Sequence, residues 1–273
     1  MKTRRDSRAP AGFRARKRFG QHFLESPWVE KLIAAIQPAP DDTFLEIGPG
    51  RGALTRALAP RVARIIAVEI DRDLAATLPA RAGPNVEVVV GDFLNVDLTS
   101  LLGGVSPPLR VVGNLPYNVA TPILFRLLSA AEEGRRFQNA TLMLQKEVAD
   151  RVVARPGTRE YGTLALQVSL FADVDRLLTL PPGAFRPPPK VTSAVVRLRF
   201  RRIAADVDPL AFERVVRGLF LHRRKTLLNA FGPVAASFGR SAPQVLDQVE
   251  LDPSRRPETL TLQEMARLSR AVL

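Results

Sequence analysis

Phe44-Leu45-Glu46-Ile47-Gly48-Pro49-Gly50-Arg51-Gly52, running on into Ala53 to Ala59, decides the fold. Phe44 to Ile47 is a short apolar run of buried-strand length. Closely spaced glycines then turn the chain, and Ala53 to Ala59 reads as a helix. In a strand, glycine-rich turn and helix of this kind, backbone N–H groups can face a nucleotide-like ligand. A second apolar run, Ile65-Ile66-Ala67-Val68, ends at Glu69, 21 residues after Gly48. An acid at the tip of the second strand is placed to hold ribose hydroxyls. Gly48, Gly50, Glu69 and Ile70 are therefore candidate nucleoside-contacting residues, against a purely structural βαβ unit. Gly48-x-Gly50-x-x-Ala53 also fits a dinucleotide fingerprint, so an NAD-dependent oxidoreductase stays open on these residues.

Outward from this unit the pattern repeats. Val86 to Val90 reads as a third strand, followed by Gly91-Asp92-Phe93-Leu94. Asp92 falls at a strand's carboxyl end, where open α/β sheets bind ligands. Its carboxylate can accept from an adenine amine with Phe93 beside the ring, or simply form a turn. Leu109 and Val111-Val112 form a fourth strand that runs into Gly113-Asn114-Leu115-Pro116-Tyr117. Pro116 fixes its own φ and pushes Leu115 out of the helical region, so the strand ends in a stiff turn. Such a turn can aim the Asn114 amide oxygen and the Leu115 carbonyl into one space, with the Tyr117 ring as a wall. Two acceptors and an aromatic face suit a planar ring bearing an exocyclic NH2, such as adenine.

The remaining elements follow by pattern. A helix begins near Pro27 with Ser26 as cap, buries Val29, Leu32, Ile33 and Ile36, and stops before Pro38. Pro122 to Leu128 is helical, Thr141 to Leu144 a fifth strand, and Lys146 to Ala154 a helix. Tyr161 to Phe171 is apolar throughout and fits helix or strand. Pro181 to Lys190 is a proline-stiffened loop whose one aromatic, Phe185, either stacks on a base or plugs a core. Val191 to Phe200 reads as the last strand.

Beyond about residue 205 the pattern is helical, with Pro209 opening one helix. Ser241-x-x-Gln244 and Thr261-x-x-Glu264 both have capping-box form. His222-Arg223-Arg224-Lys225 is a basic cluster, either a solvated helix face or a nucleic-acid contact. Three segments result: a flexible basic tail over 1–18, a Rossmann-like α/β domain over 19–202 and a small helical domain over 203–273. The tail holds eight basic residues and one acid, Asp6.

The 273 residues carry a net charge of +13 with pI near 11.2, so a polyanionic partner is expected. Of 40 basic residues 34 are Arg, whose planar fork suits phosphates and base edges. No Cys is present, which excludes disulfides and thiolate metal sites. The two histidines, His22 and His222, are far apart and give no metal-ligand spacing. No apolar run is long enough to span a bilayer, and the basic N-terminus lacks the apolar stretch of a secretory signal. A soluble cytoplasmic protein with no membrane or metal partner is expected.

Taken in order, these stretches resemble the ribosomal RNA adenine N6,N6-dimethyltransferases. The resemblance rests on Phe19-Gly-Gln-His-Phe-Leu24, Glu46-Ile-Gly-Pro-Gly-Arg-Gly52 with Leu54-Thr55, Val68-Glu69-Ile-Asp71, Gly91-Asp92-Phe-Leu94 and Asn114-Leu-Pro-Tyr117. Downstream, Phe185-Arg-Pro-Pro-Pro-Lys-Val191 and Arg223-Arg-Lys-Thr-Leu227 continue it. These later pieces are closer to the housekeeping small-subunit branch than to the antibiotic-resistance methylases of large-subunit RNA. The resemblance implies a class I methyltransferase domain that uses S-adenosyl-L-methionine. It also implies dimethylation of two neighbouring adenosines near the 3′ end of 16S rRNA, in a maturing 30S subunit, by a monomer.

Carried onto this sequence, the family's cofactor positions are His22, Leu24, Gly48, Glu69, Asp92 and Asn114; Gln21, Gly50, Ile70 and Phe93 beside them are expected to line the cofactor site too. The catalytic turn is Asn114, Leu115, Pro116 and Tyr117, with Phe185 as a second aromatic. Arg186, Lys190, Arg223, Arg224 and Lys225 are expected on RNA. The family often has Asn where this chain has His22. The implied chemistry is direct in-line methyl transfer without a covalent enzyme intermediate, in which positioning supplies most of the rate. A non-catalytic RNA-binding assembly factor would not need an intact Asn114 turn, and this chain has one.

Overall fold

The computed structural model describes residues 22–106, 108–133, 137–202 and 207–273. The 1–18 tail, Gln21 and the expected boundary at 202/203 fall wholly or partly outside these residues. Strand β1 (Phe23–Leu24) leads into α1 (Ser26–Ile36), β2 (Thr43–Ile47), α2 (Ala53–Leu58) and β3 (Arg64–Glu69). Then come α3 (Arg72–Thr77), α4 (Pro79–Ala82), β4 (Val86–Val90), α5 (Leu98–Leu102) and β5 (Leu109–Asn114). Helix α6 (Ala120–Glu132), β6 (Phe137–Gln145), α7 (Lys146–Val152) and α8 (Thr163–Phe171) precede β7 (Ala172–Leu180), β8 (Phe185–Arg186) and β9 (Ser193–Phe200). Four helices close the chain: α9 (Pro209–Leu221), α10 (Leu227–Ser237), α11 (Ala242–Gln248) and α12 (Leu262–Ala271).

A seven-stranded sheet of order β4-β3-β2-β5-β6-β9-β7 forms the centre. Neighbours from β4 to β6 pair parallel, and β9 pairs antiparallel with both β6 and β7. Strands β2 and β3 read as near-continuous apolar runs because helices cover both faces. On one face Phe44 packs with Val29, Leu32, Ile33 and Ile36 of α1 and with Leu54 and Leu58 of α2. On the other, Leu45 and Ile47 pack with Ile123, Leu124 and Leu127 of α6.

Helix α8 shows no periodicity in sequence because both of its sides are buried. Leu164 and Val168 join the sheet core, while Ala165, Leu166 and Leu170 join the core of α9 to α12. The C-terminal helices therefore pack onto an element that also belongs to the sheet. Strand β7 is an addition to the sequence reading. Its charged face pairs across to β9, with Asp175 to Arg199, and just past its end, with Asp173 to Arg201.

Two caps differ from expectation. The α1 cap is Glu25, with Ser26 already inside the helix, and no side chain caps it. Ser241 makes no side-chain cap on α11, whereas Thr261 and Glu264 form the full reciprocal box on α12.

Candidate active site

The chain winds β2 to β3 to β4, then returns to lay β5 on the other side of β2. Connections leaving neighbouring strands in opposite directions open a crevice at their carboxyl ends. A cavity of about 350 Å³ lies there.

Its floor is the glycine turn. Gly50 and Gly52 have φ of 59° and 72°, a region that residues with a β-carbon enter only with strain. At Gly52 a Cβ would also meet Leu78 Cδ1 at 2.2 Å. The turn is tied to the tip of β3: Gly48 N–H donates to Val68 O at 2.9 Å, and Gly50 N–H to Glu69 Oε2 at 2.8 Å. Asp71 N–H donates to Glu69 Oε1 at 2.9 Å. Burial raises the Glu69 pKa, and the Asp71 and Gly50 N–H bonds work against that rise. Beside it Ile70 is 46% exposed on the cavity, an apolar surface open to a ligand.

Glu46, one strand over, also lines the cavity and is 2% exposed. Its Oε2 has no hydrogen-bond partner. Burial pushes its pKa up to about 7, with Thr55 and Arg56 opposing and Glu69 adding to the rise.

At the tip of β4, Asp92 forms the turn. It lines the cavity, and its carboxylate accepts from Leu94 N–H at 3.0 Å and from the Asn95 amide at 2.9 Å. Phe93 is buried but contributes to the wall.

The Asn114 turn closes the other side. Asn114 Nδ2 donates to the His22 carbonyl at 2.8 Å, which leaves Oδ1 as the amide's acceptor. Leu115 buries its side chain in the core and donates its N–H to Met143 O at 3.2 Å, and Pro116 O accepts from Val119 N–H. The Tyr117 hydroxyl bonds Ser193 Oγ at 2.6 Å, and its ring stacks on His22 with centroids 5.8 Å apart. Burial raises the Tyr117 pKa. His22 Nδ1–H donates in turn to Pro187 O at 2.8 Å. Leu24 lines the same cavity, and Phe23 sits under the Arg51 guanidinium at 4.2 Å, so β1 lies against the glycine turn.

The proline loop does not bring Phe185 to this site. Phe185 is fully buried in the cluster that holds Phe44, Leu180 and Val195, and does not line the cavity. It is a core plug, because β8 pairs with β1 and fixes Leu24 opposite Phe185. Arg186 and Lys190 on the same loop are exposed. The basic cluster lies in the turn after α9, not on a helix face. There Arg223 is committed to structure: it pairs with Glu258 at 2.7 Å and donates to Arg159 O at 3.1 Å. Arg224 and Lys225 are exposed, next to Leu221, which is 80% exposed.

Among the described residues no three acids or histidines group as a metal site, and no helix is long and apolar enough to cross a membrane. Sequence reading passed over Glu46, Phe23 and Ser193 as site residues. A charge inside an apolar strand was the available signal for Glu46; Ser193 carries none, since its partner is distant in sequence.

A doubly wound sheet with a glycine turn, an acid at the next strand tip and an acceptor turn at the switch point defines the Rossmann-like class of nucleoside-cofactor enzymes. The chain belongs to the family described as ribosomal RNA adenine dimethylase, whose model matches residues 12–267. It is 46% identical over 265 residues to "Ribosomal RNA small subunit methyltransferase A" of Acinetobacter baylyi, covering 94% of this chain and 92% of that one. The protein of the same name from Geobacter metallireducens is 45% identical, covering 96% and 97%. Among solved structures, a dimethyladenosine transferase from Plasmodium falciparum superposes with a TM-score of 0.76 at 27% identity, covering 90% and 96%. The 23S rRNA methyltransferase ErmE gives 0.65 at 26%, covering 92% and 99%. The oxidoreductase reading of Gly48-x-Gly50-x-x-Ala53 therefore does not hold.

Proposed function

We propose that this protein dimethylates N6 of two adjacent adenosines near the 3′ end of 16S rRNA, acting as a cytoplasmic monomer on a maturing 30S subunit with S-adenosyl-L-methionine as donor. The residues present fit that donor. Glu69 keeps lone pairs for ribose hydroxyls beyond those taken by Gly50 and Asp71. Ile70 offers an exposed apolar surface, and nothing stands within 4 Å of where a Gly48 Cβ would be. When bound, the donor supplies a methyl on a positively charged sulfur.

The chain supplies the rest. The target adenosine leaves its stack and enters beside Tyr117. Its N6 lone pair is delocalised into the ring and is a poor nucleophile. Asn114 Oδ1 and the Leu115 carbonyl accept its two hydrogens and favour a pyramidal, more nucleophilic nitrogen. After one transfer a hydrogen is gone, so one acceptor is left without its donor and the pocket must seat a methyl instead. Helices α9 to α12 form the RNA-facing module, and Arg186, Lys190, Arg224 and Lys225 bind phosphates.

The observation that carries this reading is the Asn114 to His22 bond, which orients the amide oxygen as an acceptor on the cavity. Mass spectrometry of small-subunit rRNA from a deletion strain, with and without the gene restored, tests it. Restoration should return two dimethyladenosines; their presence without the gene would overturn the assignment.

A further inference from the structure

The cavity contains one acid that the reading above leaves without a role. Glu46 lies on β2 between Ala67 of β3 and Val112 of β5, both fully buried. Helix α2 sets the buried Thr55 beside it and the charge of the exposed Arg56 near it. A buried carboxyl with an unsatisfied oxygen is destabilising, and an apolar residue would pack here at lower free energy. The other two acids of the cavity differ. Glu69 has each oxygen engaged by a backbone N–H, and Asp92 is engaged by Leu94 and Asn95.

We propose that Glu46 is the cation-reading wall of the cofactor pocket: its carboxyl keeps its proton in the free protein and releases it to solvent when the positively charged methyl donor binds. The proposal rests on the assignment of a sulfonium donor to this pocket. Two charged groups face Glu46. Glu69 at the tip of β3 disfavours ionisation, and Arg56 of α2 favours it. Burial outweighs Arg56 and holds the proton to about pH 7. A cation brought into the same cavity reverses the balance, because charge pairs interact strongly where water is excluded. The demethylated product has a neutral sulfur and one positive charge fewer. The ionised wall therefore holds product more weakly than donor.

Titration calorimetry on the full chain tests this, with S-adenosylmethionine and S-adenosylhomocysteine as ligands. Each is measured in two buffers of different ionisation enthalpy at pH 6.5 and 8.5. Wild type should release more protons on donor binding at pH 6.5 than at pH 8.5, and fewer with the product. The donor's amino group is itself largely protonated at pH 6.5, but the product carries the same amino group, so only release in excess of the product's is assigned to Glu46. Glu46→Gln should abolish the release and shift the donor-to-product affinity ratio about tenfold toward product, while Glu69→Gln, which removes only a neighbouring charge, should reduce the release without abolishing it. Release that persists in a folded Glu46→Gln, or that vanishes only in Glu69→Gln, would overturn the proposal. So would its absence in wild type, a result that needs no variant to fold. Failure of wild type to bind the donor at all would instead remove the sulfonium assignment.

Discussion

Glu69 holds the glycine turn through the Gly50 N–H, accepted at Oε2 over 2.8 Å, while its other oxygen holds the Asp71 N–H. One carboxylate thus fixes the cradle and, in the proposed function, presents its remaining acceptors to a ribose. Glu69→Ala is expected to weaken S-adenosylmethionine binding by about 1.5–3 kcal/mol. Glu69→Gln should do nearly as badly, because its NH2 must face one of two backbone donors. Calorimetric dissociation constants check both, and a Gln variant that binds like wild type would take the carboxylate out of the site.

Phe185 separates a core role from a base-stacking role. Truncation to Ala should cost about 3–5 kcal/mol in urea unfolding, as for other buried aromatics. Phe185→Leu fills most of the volume and should keep single-turnover methylation near wild type. A stable Leu variant slowed more than tenfold would show that the ring reaches the target base after all.

The glycine turn, Glu69, Asp92 and the Asn114 turn were legible because each follows a short apolar strand and carries its own chemistry. What was not legible depends on distant partners. Strand β7 looks too polar for a sheet until Asp175 finds Arg199 on β9 and Asp173 finds Arg201 just past its end. Tyr161 to Phe171 fits two states because its helix serves two cores. Phe185 and Arg223 were placed by type, aromatic for stacking and cation for phosphate. The structure gives the first a core position and the second Glu258, 35 residues away.

That difference divides the basic cluster. Arg224→Ala with Lys225→Ala should weaken binding to the pre-subunit and lower the log-affinity against log-salt slope by about 0.7–0.9 for each phosphate no longer neutralised. Arg223→Ala should act mainly on stability, since it leaves Glu258 without its cation. Cofactor affinity should not change in either. An unaltered salt slope in the double variant would make this turn a solvated surface.

On the proposed mechanism Asn114 and Tyr117 carry the chemistry. Asn114→Ala removes an acceptor that matters most as the N6 nitrogen pyramidalises, so the transfer rate should fall about 100-fold or more while RNA affinity changes little. Asn114→Asp keeps an oxygen but sets a carboxylate against the His22 carbonyl that now receives the amide N–H, and it should not rescue the rate. Tyr117→Ala should weaken capture of the flipped base by roughly 1–3 kcal/mol. Tyr117→Phe keeps the ring and most of the activity, yet strands the buried Ser193 hydroxyl, so it should lose about 1 kcal/mol of stability. Single-turnover assays on purified pre-subunits, paired with thermal unfolding, measure all four. Near-normal methylation by a folded Asn114→Ala would show that this turn is not the catalytic centre.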